Sequence, residues 1–344
     1  MALQLKSQPS PASATALLQV KGLERYFGQT EAVKGISFSL TKGEVVGFLG
    51  PNGAGKSTTM QMLAGALAPS AGRVVVDGID LFEEPLRARA KIGYLPEQPP
   101  LCHELSVDEQ LAFCTALRKV PRANRVRACA DAKARTGLSK SGRRIIGNLS
   151  KGFQQRVGIA QALVHAPDVI LLDEPTSGLD PNQLRDIRQL VVDLSTDHAV
   201  MLSTHILSEV QSMCDRVIMM HLGNIVVDAP LQDAAGRVST HVARLRDVPD
   251  ATFRVTLQQL PGVHTVALLD ANTLRIEHNG GDQTLDSTVD QLRALGLREW
   301  RPERDGLEEL FSTLTQRSPT KPSSGNTDST NAGNSLTEGH ARSC

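Results

Sequence analysis

The run Gly50-Pro51-Asn52-Gly53-Ala54-Gly55-Lys56-Ser57 has the spacing G-x-x-x-x-G-K-S, follows the apolar stretch Val45 to Leu49, and leads through Thr58 into a helical pattern reaching Leu67. Glycines at these positions let the backbone curl so that successive N–H groups point at phosphate oxygens, and the helix N-terminus adds partial positive charge. Lys56 is placed to reach β- and γ-phosphates, and the Ser57 hydroxyl to ligate Mg²⁺. A second element, Val169-Ile170-Leu171-Leu172-Asp173-Glu174, is an apolar strand ending in two acids. At such a strand end Asp173 is suited to hold the Mg²⁺ shell, directly or through water. Glu174 is suited to orient and polarise an attacking water. Together the two elements imply binding and cleavage of a nucleoside triphosphate.

About twenty positions before those acids stands Leu149-Ser150-Lys151-Gly152-Phe153-Gln154-Gln155-Arg156. With the phosphate loop and the acidic strand, this run makes residues 17 to about 235 resemble the ABC ATPases. Gln98 in Leu95-Pro96-Glu97-Gln98 resembles the Q-loop glutamine, Ser177-Gly178-Leu179-Asp180 the D-loop, and His205 in Ser203-Thr204-His205 the switch histidine. Phe27 resembles the aromatic that stacks on adenine, with Tyr26 the fallback. The resemblance implies ATP as substrate, Mg²⁺ as cofactor, Gln98 at the metal and the water, and a His205 hydrogen bond to the γ-phosphate. It also implies that the helix starting near Gly152, with Ser150 and the D-loop Asp180, completes the site of a second copy, two ATPs being held in a head-to-tail homodimer. Lys151 and Phe153 depart from the commonest signature, Leu-Ser-Gly-Gly-Gln, and leave Gln154 as the candidate for the missing glutamine's role. Signatures of this form resemble those of ABC-2 type exporters, and the closest look is to the gliding-motility and copper-processing group.

The elements that must position these residues follow from patterning. Apolar runs at 44–49, 74–76, 169–172 and 199–202 alternate with helical patterns, which argues for an α/β chain with a largely parallel sheet covered on both faces. Residues 101–148 interrupt this rhythm as a helical insertion, opened by the capping box Ser106-Val107-Asp108-Glu109 ahead of Leu111, Phe113 and Leu117. The pattern restarts over about 240–316 as a small α+β unit: strands 263–269 and 274–278 about an Asp270-Ala271-Asn272 turn, a helix with Leu285, Val289 and Leu292 on one face, a strand 297–300, and a helix presenting Leu307, Leu310, Phe311 and Leu314. This unit resembles the C-terminal extension of ABC-2 ATPases. Residues 1–16 and 317–344, rich in Ser, Thr, Pro, Asn and Gly, are expected to be disordered, and the early residues carry no apolar segment of signal-peptide type.

Composition excludes several alternatives. The 37 basic residues balance 37 acidic ones, so bulk charge gives no attraction to nucleic acid. No apolar run approaches the ~20 residues of a spanning helix, so work at a membrane needs another chain. The five cysteines are odd in number and form no C-x-x-C pair, which removes a disulfide framework or zinc ribbon and suits a reducing cytoplasm. The resemblance implies an ATP hydrolase at the inner face of the cell membrane, held there by a separately encoded ABC-2 permease. An ABC ATPase acting in assembly without transport is the alternative.

Overall fold

The computed structural model describes residues 16–234, 239–278 and 282–302, together with 307, 311 and 312. The terminal segments expected to be disordered lie outside these residues, except that Ala16 opens the first strand. Most of the final helix, with Leu310 and Leu314, lies outside them as well.

Along the chain run β1 (Ala16–Phe27), β2 (Thr30–Thr41), β3 (Val45–Leu49), α1 (Lys56–Leu63), β4 (Ala71–Val76), β5 (Ile79–Asp80), α2 (Pro85–Arg89) and β6 (Ile92–Leu95). The helical insertion supplies α3 (Val107–Leu117) and α4 (Arg125–Arg135). Then come α5 (Lys151–Leu163), β7 (Val169–Asp173), α6 (Pro181–Ser195), β8 (Ala199–Thr204), α7 (Leu207–Met213), β9 (Arg216–His221) and β10 (Asn224–Pro230). After the short α8 (Leu231–Ala234) the chain forms β11 (Ser239–Leu245), α9 (Ala251–Gln258), β12 (Val263–Asp270), β13 (Thr273–His278), α10 (Asp282–Arg293) and β14 (Leu297–Pro302).

The central sheet has the order β10-β9-β3-β8-β7-β6, parallel except for the edge strand β10. Its inner strands β3, β7 and β8 are buried at every residue, and their uninterrupted apolar sequences are what a sheet covered on both faces demands. Alternate residues serve different cores. Val45, Leu49, Ile170, Leu172, Val200 and Leu202 face the cluster that includes Leu111 of α3, Ile159 of α5 and Val191 of α6. Val46, Phe48, Val169, Leu171, Ala199 and Met201 face Met60 and Leu63 of α1 and the antiparallel sheet. Gly47 sits where α7 closes on β3: an added Cβ would lie 2.7 Å from Cγ1 of Val210.

That antiparallel sheet, β2-β1-β4-β5, corrects the sequence expectation, because Val74–Val76 pairs with β1 and not with the parallel strands. Register shifts in β1 between Val20 and Leu23, and again beyond, break its alternation and hide it from pattern reading. A third sheet, β12-β13-β11-β14, is wholly antiparallel and has its own core of Leu245, Leu257, Leu274, Ile276 and Leu292. Its interior strand β11 and the helix α9 were not foreseen. Leu307, by contrast, joins the core beneath the central sheet, with Phe311 packed against it.

The capping box is formed as expected: the Ser106 amide donates to Glu109 Oε2 at 2.8 Å, and the Glu109 amide to Ser106 Oγ at 3.3 Å. Of the apolar positions behind it only Leu111 is buried. Phe113 and Leu117 are 56% and 68% exposed, so α3 carries an apolar surface that its own core does not use.

Candidate nucleotide site

Strand order brings the chemistry together. Strand β8 lies between β3 and β7, with Leu49 opposite Thr204 and Asp173 opposite Ser203. The phosphate loop after β3, His205 after β8 and Glu174 after β7 therefore emerge side by side at the carboxyl edge of the sheet, where open α/β sheets bind ligands.

The loop from Gly50 to Gly55 closes on α1. Gly55, at φ +107°, is its N-cap, and an added Cβ would lie 2.5 Å from the Ala32 carbonyl oxygen, so only glycine fits. Lys56 is 6% exposed, and its Nζ donates to the Gly50 carbonyl at 2.7 Å and the Pro51 carbonyl at 3.2 Å. An ammonium has three donors, so one remains for a ligand. Burial pulls the Lys56 pKa below the usual lysine value against the nearby Glu174 and Asp173 charges. A buried cation with a spare donor is suited to an anion.

Asp173 is 2% exposed, and burial raises its pKa above the usual aspartate value. Its Oδ1 accepts hydrogen bonds from the Ser203 hydroxyl and, at 3.4 Å, from the Ser57 hydroxyl. These hard oxygens sit together, while no group of three His, Cys, Asp or Glu side chains among the described residues forms an all-protein metal cage. Next along the chain Glu174 adopts φ +48°, a conformation uncommon for a non-glycine residue, pinned by its amide's bonds to the Ser203 carbonyl and hydroxyl, each 3.2 Å. This left-handed turn brings the Glu174 carboxylate to His205, whose Nδ1 lies 2.9 and 3.0 Å from its two oxygens. The resemblance gave His205 a phosphate partner, and the structure adds this carboxylate.

A cavity of about 280 Å³ is lined by Asn52, Gly53, Gly55, Lys56, Ser57 and Thr58 on the loop side and by Glu174 and His205 opposite. Gly50, Pro51 and Ala54 form the loop behind this lining: the Ala54 amide donates to the Pro51 carbonyl at 3.2 Å, and the Gly223 amide to the Ala54 carbonyl at 3.0 Å. Ser177, the first residue of the D-loop run, also lines the cavity, as do Ala32 and Glu97, which were not anticipated. Glu97 had a signal in its place beside Gln98, whereas Ala32 had none, since β2 reaches the loop only through the tertiary fold. Gln98 does not line this cavity. It faces an adjoining one of about 320 Å³, which shares Glu97 and Ser177 and is bounded by Lys151, Gln154 and Gln155.

The remaining expected residues stand apart from the phosphate cavity. Ser150 is the N-cap of α5, and Gly152, in its first turn, packs so close to α6 that an added Cβ would lie 2.6 Å from Gln183 Oε1. Asp180 caps α6 by accepting from the Gln183 amide at 2.9 Å. The Gln154 side-chain amide donates to the Ile146 and Leu149 carbonyls at 3.1 and 3.2 Å. Phe153 packs between the Arg144 and Arg156 guanidinium groups, 5.9 and 6.0 Å from its ring centre. At the other end, Phe27 is 49% exposed and carries the Arg25 guanidinium 4.7 Å from its centroid, while the Tyr26 hydroxyl is tied to Glu31 at 2.9 Å, a bond that helps push its pKa up to about 12. Phe27 thus has the freer aromatic ring.

Comparison with known proteins agrees with this geometry. Residues 33–177 match the family model described as ABC transporter. The linearmycin resistance ATP-binding protein LnrL of Bacillus subtilis (strain 168) is 30% identical over 310 residues, covering 88% of this chain and 99% of the relative. The bacitracin transport ATP-binding protein BcrA of Bacillus licheniformis is 27% identical over 303 residues, covering 87% and 97%. Among solved structures, cbiO1 from Clostridium perfringens, part of the ABC transporter complex cbiONQ, superposes with a TM-score of 0.59 at 30% identity, covering 72% of this chain and 96% of that one. The ADP conformation of MJ1267, an ATP-binding cassette of an ABC transporter, gives 0.57 at 27% identity, covering 64% and 92%. The chain belongs to the ATP-binding proteins of ABC transporters, has the α/β phosphate-loop fold of their nucleotide-binding domains, and is an ATP hydrolase.

Proposed function

We propose that this ATPase energises export through a separately encoded ABC-2 type permease, by closing two copies head to tail around two ATP molecules. The observation that carries the reading is the division of the site. The phosphate loop, Glu174 and His205 share one cavity, while Ser150 and Gly152 of the signature helix stand outside it. One copy therefore offers half of an ATP envelope, and the exposed α5 N-terminus offers amides to a phosphate held by another.

In this reading the amides of the loop from Gly50 to Gly55, together with Lys56, hold the β- and γ-phosphates, and Thr58 lies beside them. Phe27 stacks on adenine. The donor set fits Mg²⁺, which uses one or two protein oxygens alongside substrate phosphates. Ser57 and Asp173 would hold the metal, with Gln98 brought in from the adjoining cavity as the copies close. Bound there, Mg²⁺ neutralises charge on the phosphate oxygens. Glu174 accepts the proton of the attacking water, and the His205 ring, lying beside the Glu174 carboxylate, turns its N–H to the γ-phosphate. Asp180 keeps the D-loop in register through its cap on α6. Lys151 and Gln155, bounding the Gln98 cavity, lie where closure would be sensed.

Export is supported by the resistance and transport names of LnrL and BcrA, both matched over nearly their whole length. No helix among the described residues is long and apolar enough to cross a membrane, so the translocation path falls to the partner, at whose cytoplasmic face this chain would sit. The third sheet and its helices, over about 240–316, are read as the C-terminal extension. Light scattering of the Glu174→Gln protein tests the mechanism: dimer accumulates with Mg-ATP, and monomer alone would exclude the sandwich. Co-purification from detergent-solubilised membranes with the hydrophobic protein of a neighbouring reading frame tests the partner.

A further inference from the structure

Residue Glu209, in the first turn of α7, is 1% exposed and lies outside the machinery described so far. Its Oε2 accepts a hydrogen bond from the Thr204 hydroxyl at 2.7 Å, and Thr204 is itself fully buried. Its Oε1 has no hydrogen-bond partner in the structure. Burying a carboxylate without full pairing is costly, and such a group persists where it fixes something in place.

What it fixes is the short connection that carries His205. A hydroxyl has one proton, and because Thr204 gives its own to Glu209, its lone pairs are free to accept from the chain. The Ile206 amide does donate to Thr204 Oγ1, at 3.1 Å, and the Glu209 amide in turn donates to the Ile206 carbonyl at 3.2 Å. Residues 204 and 206, on either side of His205, are thus tied to one another and to α7. Thr204 is fully buried while His205 and Ile206 are exposed, and the His205 Nδ1 meets Glu174.

We propose that Glu209 is a positioning residue for ATP hydrolysis: through the Thr204 hydroxyl it holds the 204–206 connection so that His205 stays on the Glu174 carboxylate. The inference rests on the reading of His205 given above. Neither Glu209 nor Thr204 lines the phosphate cavity, so both act on turnover and not on ATP binding. The acceptor oxygen does the holding, and glutamine at 209 supplies one as well.

The test measures kcat, KM for ATP and melting temperature for the full chain and its variants. Thr204→Val, which removes the hydroxyl at nearly constant volume, and Glu209→Ala are expected to lower kcat by about 10- to 100-fold, the scale of a misplaced catalytic group. KM for ATP stays within about twofold, since ground-state binding is untouched. Thr204→Ser and Glu209→Gln recover most of the turnover. A folded Thr204→Val protein with wild-type kcat overturns the proposal, as does a Glu209→Gln protein as impaired as Glu209→Ala. Should Glu209→Ala fail to fold, Thr204→Val decides the question. If Thr204→Val loses kcat, ATP binding and melting temperature together, the residue is merely structural and the proposal falls. His205→Ala serves as the control: wild-type turnover there overturns the reading of His205 itself, whereas its loss beside an unaffected Thr204→Val overturns only the role given to Glu209.

Discussion

Replacing Glu174 by Gln isolates the chemistry from the architecture. Glutamine has nearly the same volume, keeps a carbonyl oxygen for the His205 Nδ1 now 2.9 Å away, and leaves the backbone at φ +48° held by the Ser203 carbonyl and hydroxyl. What disappears is the negative charge that accepts a proton from water. Loss of a positioned general base costs roughly 10²- to 10⁴-fold in rate. At about 1.36 kcal/mol per decade, the transition state is raised by about 2.7 to 5.4 kcal/mol. Binding responds differently, because the carboxylate lines the cavity that receives the phosphates, and removing its charge lessens repulsion toward them. The expected outcome is ATP affinity equal to or above wild type by calorimetry, with steady-state phosphate release reduced by at least about 100-fold. Hydrolysis within about threefold of wild type, by a protein of unchanged melting temperature, would refute the assignment of Glu174 as the base.

Other outcomes follow from the same site. Lys56→Ala removes the buried cation beside the phosphate loop, and calorimetry should find ATP binding abolished or weakened by at least about 100-fold, the loss expected for a desolvated charge-assisted bond. Asp173→Asn should raise the melting temperature near pH 7, because the native carboxyl, its pKa lifted by burial, binds protons more readily than in the unfolded chain. The sign is that Asp173 costs stability when ionised, so the variant's advantage should shrink as pH falls through the raised native value toward about 4, and differential scanning fluorimetry over that range checks it. Permease capture should depend on the exposed face of α3: Phe113→Glu or Leu117→Glu should reduce co-purification from solubilised membranes at constant melting temperature. Leu105→Glu, at a half-buried site whose carbonyl accepts from the Ile146 amide at 2.9 Å, should also lower the melting temperature.

The sequence by itself determined the parts of this protein that local physics controls. The phosphate loop needs glycine at the φ +107° of Gly55 whatever surrounds it, so its residues announced it. Strands β3, β7 and β8 are apolar at nearly every position because both faces are covered, and a run of that kind is legible without coordinates. The capping box at Ser106 and Glu109 spans four residues and closes on itself. Long-range pairing was decided elsewhere. Insertion of β8 between β3 and β7 sets Thr204 beside Leu49 and Ser203 beside Asp173, and no pattern within either strand specifies its neighbour. The antiparallel sheet stayed hidden because β1 is bulged, and β11 because it is interior only in the company of β13 and β14. The placing of Gln98 in a cavity next to the phosphate site, the use of Gln154 on backbone carbonyls and the burial of Glu209 behind Thr204 depend on side chains meeting across distant segments. Residue type states what a group can bond, and only the packed chain decides which partner comes within reach.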